Sequence, residues 1–137
     1  MVKPIVKDPI FLSQPSEPAT EEDRPIARDL LDTLAAYRER CAGMAANMIG
    51  ELKRIIVFEG EDGDPFLMYN PEIIKKSEPY QAAEGCLSLE GLRQGDRWKT
   101  IKVRFQNGEF KTRVRTYKGF TAQVIQHEID HCNGILI

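Results

Sequence analysis

Both histidines of this 137-residue chain stand four positions apart, in the stretch QHEIDH at 126–131. On a helix with 3.6 residues per turn that spacing projects them from nearly one face, about 6 Å apart along the axis. Two imidazoles so placed can grip one cation. The surrounding pattern is helical: Phe120, Val124, Ile125, Ile129 and Cys132 recur at that period between Gly119 and the stop signal Asn133-Gly134. Glu128 follows the first histidine directly, where its carboxylate can take a proton from a nearby water without serving as a ligand. This is the H-E-x-x-H arrangement of metal-dependent hydrolases.

The rest of the chain reads as one α+β unit spanning 1–137. Four of the eight prolines fall within the first 19 residues, which predicts an arm of extended and turn structure. TEED at 20–23 has the form of a capping box, with Asp23 in the place usual for Glu or Gln. Ile26, Leu30, Leu34 and Tyr37 then keep helical spacing, so a helix is expected from 21 to about 39. RIIVF (54–58), FLMYN (66–70) and EIIKKS (72–77) read as short strands, the last two separated at Asn70-Pro71. TIKVRF (100–105) and KTRVRTY (111–117) read as a hairpin around QNGE.

Composition narrows the function classes. A net charge of -2 gives no electrostatic case for specific nucleic-acid binding or an anionic membrane. The eight basic residues between Arg97 and Lys118 alternate with apolar ones, as on a solvated strand face. Three cysteines, an odd count, argue against a disulfide framework, and no apolar run is long enough for a signal peptide or a membrane span. A reducing cytoplasm is the expected compartment.

A catalytic centre of the H-E-x-x-H kind uses three protein ligands and leaves one position open. With no third histidine, a thiolate is the strongest candidate. Cys86, in EGCLS at 84–88, follows Gly85, which lets the backbone approach closely. Arg97 is a candidate partner for Glu84, locking the loop that presents this cysteine. Gln126 is expected to support the metal shell, and Ser88 and Asp130 to bond locally.

EGCLS at 84–88, QHEIDH at 126–131 and AGMAANMIG at 42–50 resemble the three signature stretches of the peptide deformylase family, in order and approximate spacing. The resemblance implies an α+β fold with antiparallel sheets packed around a central metal-binding helix. It implies an enzyme that removes the formyl group from N-formylmethionyl peptides of nascent bacterial proteins. Cys86, His127 and His131 would bind one divalent ion, Fe2+ in the cell, replaceable by Zn2+, Ni2+ or Co2+. Glu128 would deprotonate the bound water that attacks the formyl carbon, then return the proton to the departing amine. A transient ribosome encounter is implied as well. The substrate would meet Ala42, Gly43, Met44, Met48, Gly85, Arg93, Phe120, Gln123 and Val124.

The first stretch departs from the family pattern. Aligned without a gap, Met48 stands where the family has a glutamine that donates to the oxyanion, and Cys41 where it has a glycine. A thioether cannot donate a hydrogen bond. Losing one such donor costs about 3 to 4 kcal/mol in the transition state. Asn47 is the expected replacement, beside the backbone N–H of Leu87. Other readings of the same residues are a deformylase-like protein that binds N-terminal peptides with little turnover, a hydrolase of another amide, and a metal-stabilised structural domain.

Overall fold

The computed structural model describes residues 1–137. One antiparallel sheet carries five strands in sequence order: β1 (Gly43–Ala45), β2 (Ile55–Glu59), β3 (Pro65–Cys86), β4 (Leu89–Gln106) and β5 (Thr112–Lys118). Helices α1 (Pro9–Leu12), α2 (Arg24–Ala36) and α3 (Gly119–Cys132) complete the order, with 3-10 turns at Glu21–Asp23 and Ala46–Ile49. No helix is long and apolar enough to cross a membrane.

The continuous apolar run in β2 shows why the layers stack as they do. Ile56 and Phe58 enter one core with Ala122, Val124, Ile125 and Ile129 of α3. Ile55 and Val57 enter a second core with Leu30 and Leu34 of α2. A strand covered on both faces shows no polar alternation. All four side chains are fully buried. At about 1.5–3 kcal/mol for each buried side chain, they together rival the net stability of a whole domain, so β2 fixes the order helix, sheet, helix.

Helix α3 touches β1, β2, β4 and β5, and most of its residues are buried. That burial on nearly every side marks a central helix rather than a surface one. Gln126 clamps it to β4: its Oε1 accepts from Trp98 N at 2.8 Å, and its Nε2 donates to the Trp98 carbonyl at 2.9 Å. The expected metal-shell role of Gln126 is therefore replaced by a helix-to-strand tie.

Several boundaries differ from the sequence expectation. The helix expected over 21–39 is a 3-10 turn, then α2, then a turn over 37–40, because the Tyr37 carbonyl takes the N–H groups of Arg40 and Cys41. The Asp23 carboxylate does accept from Thr20 N, at 2.8 Å. Asn70-Pro71 does not break the strand. Asn70 adopts a left-handed φ of 52°, and its side chain bonds Ala19 and Gln106, so β3 passes through with a register shift while its flanks stay paired to β4. The arm of residues 1–19 contains the one-turn α1, which Pro9 opens behind Asp8.

Candidate metal centre

The end of β3 and the middle of α3 meet at Cys86, His127 and His131, whose ligand atoms all lie within 4.8 Å of one another. His127 Nε2 is 3.2 Å from His131 Nε2, and Cys86 Sγ is 3.4 Å from His131 Nε2. Around a tetrahedral ion with zinc-like bond lengths, two nitrogens sit about 3.3 Å apart and a sulfur and nitrogen about 3.6 Å. The observed edges match, so these residues fit one divalent ion. The i,i+4 spacing supplies the two imidazoles, and the β3–β4 turn brings in the thiol.

Glu84 orients the first imidazole. Its carboxylate only accepts, so His127 Nδ1, 2.8 Å from Oε1, carries the proton and leaves Nε2 to face the ligand cluster. Three further donors hold Glu84: Arg97 Nε at 2.9 Å, Arg97 Nη2 at 2.6 Å and Gln123 Nε2 at 2.8 Å. Arg97, 2% exposed, also donates to Asp130 Oδ2 at 2.7 Å. A β-carbon on Gly95 would stand 2.9 Å from the guanidinium carbon, so only glycine leaves this arginine its room.

The ionisation states follow from this packing. Burial opposes charge on Glu84, but the donors from His127, Arg97 and Gln123 outweigh it and hold the carboxyl down at about 2. Burial likewise opposes charge on His127, yet its bonds to Cys86 and Glu84 carry it to about 10. His131, buried and close to the charges of His127 and Arg97, is pushed down to about 3 and keeps a free lone pair. Burial raises Glu128 to about 7. Its Oε1 is buried without a protein partner.

A cavity of about 510 Å3 opens onto these residues. Its wall includes Cys86, His127 and Glu128 together with Ala42, Gly43, Met48, Gly85, Leu87, Phe120, Gln123 and Val124. Gly43 sits where β1 crosses α3: a β-carbon there would lie 2.6 Å from Val124 Cγ1 and 3.1 Å from Glu128 Oε2. Leu87 lines the cavity, and its N makes no hydrogen bond to a backbone carbonyl.

Three expected site residues lie elsewhere. Asn47 is fully buried with its Nδ2 donating to the His131 carbonyl at 3.1 Å, so its amide braces the last turn of α3 and does not reach the cavity. The 3-10 turn over Ala46–Ile49 is the reason, because it rotates position 47 inward and presents Met48. Met44 is fully buried in the core against α2, since neighbouring residues of β1 point to opposite sides. Arg93 pairs across the ladder with Glu84 but is exposed and outside the cavity wall.

Arg40, Cys41 and Ala83 line the cavity without having been expected there. Their signal in the sequence is contiguity, since Arg40 and Cys41 lead into the stretch at 42–50 and Ala83 into that at 84–88. Cys41, raised to about 11 by burial and by the charges of Glu128 and Cys86, stays a thiol. Cys132, raised to about 12 by burial, is a packed thiol in the α3 core.

Known proteins share both the sequence and this architecture. A family model described as Polypeptide deformylase matches residues 2–137. A peptide deformylase of Clostridium beijerinckii is 51% identical over 138 residues, covering all of both chains. The crystal structure of peptide deformylase from Thermotoga maritima superposes with a TM-score of 0.86 at 33% identity, covering 99% of this chain and 95% of that one. A Met-Ala-Ser-bound class I type b peptide deformylase from Acinetobacter baumannii gives 0.87 at 27% identity, with 99% and 97% covered. With sequence and fold agreeing along essentially its whole length, the chain belongs to the peptide deformylase family.

Proposed function

We propose that this deformylase removes the N-formyl group from N-formylmethionyl peptides by general-base hydrolysis at the Cys86, His127 and His131 centre. A divalent ion held by Cys86, His127 and His131 would supply Lewis acidity to the formyl group and to the attacking water. The chain's own residues do the rest. Glu128, buried against the cavity with one unpartnered oxygen, takes the proton of the attacking water and delivers it to the departing amine. The Leu87 N–H donates to the developing oxyanion. Glu84 keeps the proton of His127 on Nδ1 throughout. Val124, Ala42 and Gly43 close around the methionine side chain, and Phe120 and Gln123 frame the opening.

Fe2+ is the proposed ion in the cell. One thiolate and two imidazoles leave a net charge of about +1 on any divalent ion and suit several, Zn2+, Ni2+ and Co2+ included. The reaction belongs to the cytoplasm, on new chains, with a transient ribosome encounter. The observation that carries the reading is the convergence of a thiol and two imidazoles at tetrahedral edge lengths beside a buried carboxyl.

The test is formate release from formyl-Met-Ala-Ser by protein loaded anaerobically with Fe2+. Glu128→Ala is expected to lower kcat/KM by about 10²–10⁴-fold while one ion stays bound. Activity unchanged in that variant overturns the mechanism. Met48 in the cavity wall favours a second reading, in which formylated peptides bind with little turnover. Tight peptide binding without formate release distinguishes it.

A further inference from the structure

We propose that Arg40 makes this enzyme selective for formylated peptides carrying an acidic side chain shortly after the methionine. The inference rests on the deformylase reading and extends it to the mouth of the cavity. Arg40 lines that cavity and is exposed, whereas His127 and Glu128, which also line it, are buried. With the formyl group at the base, an extended peptide advances about 3.4 Å per residue, so the residues after methionine reach the mouth.

The guanidinium there has no carboxylate of its own. Arg38 pairs with Glu59 at 3.8 Å, but Arg40 makes no ion pair. Of the two carboxylates on the cavity wall, Glu84 is engaged by Arg97, Gln123 and His127, and Glu128 is buried. The arginine is also braced. Its N–H and that of Cys41 close the turn on the Tyr37 carbonyl at 2.8 and 3.1 Å, and its guanidinium carbon stands 5.8 Å from the Tyr37 ring centroid. A braced, uncompensated cation beside the path of a substrate favours an anionic group on that substrate.

The experiment compares C-terminally amidated formyl-Met peptides with Asp, Asn or Lys at the second or third position, with formyl-Met-Ala-Ser as free acid and as amide. A side-chain carboxylate is expected to raise kcat/KM over its Asn counterpart by about two- to fivefold, through KM, at low ionic strength. The preference should shrink toward one at high salt. A larger effect of the free acid over the amide than of Asp over Asn would assign Arg40 to the chain terminus and overturn the side-chain proposal. Arg40→Gln should bring the Asp/Asn ratio to one, and Arg40→Glu should favour Lys. Equal kcat/KM for Asp and Asn peptides in the parent enzyme, or a ratio that survives Arg40→Gln, overturns the selectivity alone. No formate from any peptide overturns the deformylase reading and the selectivity with it.

Discussion

Replacing Arg97 by alanine removes the cation at the middle of the site's supporting network. Arg97 is 2% exposed and gives two hydrogen bonds to Glu84, one to Asp130 and one, at 2.8 Å, to the Asp96 carbonyl. Glu84, 8% exposed, would then hold a buried negative charge with only Gln123 and His127 to satisfy it. Breaking a buried pair from one side costs about 3–5 kcal/mol. With an unfolding entropy near 2.1 cal/mol/K per residue, a chain of this length loses about 3–4 °C per kcal/mol, so Tm should fall by about 10–17 °C. Metal affinity should weaken by about 10- to 100-fold, because Glu84 without Arg97 holds the His127 ring less firmly. Thermal unfolding of the chelator-treated protein and metal titration measure the two effects separately. The double variant Glu84→Leu, Arg97→Met removes both charges and should regain most of the lost Tm, while its metal affinity stays weak because Nδ1 has lost its acceptor. A single variant that loses less than about 1 kcal/mol, or a double variant that binds metal as tightly as the parent, would refute this account.

Met48→Gln puts an amide donor on the cavity wall and should raise kcat by up to about 10²-fold with little change in KM, read by formate release. An unchanged kcat would mean the site does not use a side-chain donor at that position. For the metal-free protein, stability should fall as pH rises above about 6.5, because below that the gain from His131, lowered to about 3, offsets the loss at Glu128. His127, raised to about 10, favours the fold most below its ordinary value near 6.5 and loses that contribution as pH climbs through 10. Glu128, raised to about 7, is stabilised as the neutral acid below its ordinary 4.5 and loses that as pH climbs through 7. Loading a divalent ion should displace the Nε2 proton of His127 and flatten the profile between pH 7 and 10, which Tm against pH with and without chelator will show.

Local chemistry was readable from residue order. The i,i+4 histidines, the capping contact at Thr20, the β4–β5 hairpin and the stop at Asn133-Gly134 each depend on neighbours within a few residues, and each stands where the pattern puts it. Even the Arg97–Glu84 pair was accessible as a charge match. Long-range pairing was not. Nothing near Asn70-Pro71 says that the strand continues, because the decision belongs to β4 and to Ala19, 51 residues away in the chain. Asn47 and Met48 are adjacent, and only the 3-10 turn packed against α3 decides which of them faces the cavity. The sequence by itself determined the ligand types and the helix that carries two of them, since helical periodicity is a local property. The direction of each wall side chain, the triple use of Glu84 and the free charge of Arg40 were decided by tertiary packing, because they depend on which distant atoms occupy the space around them.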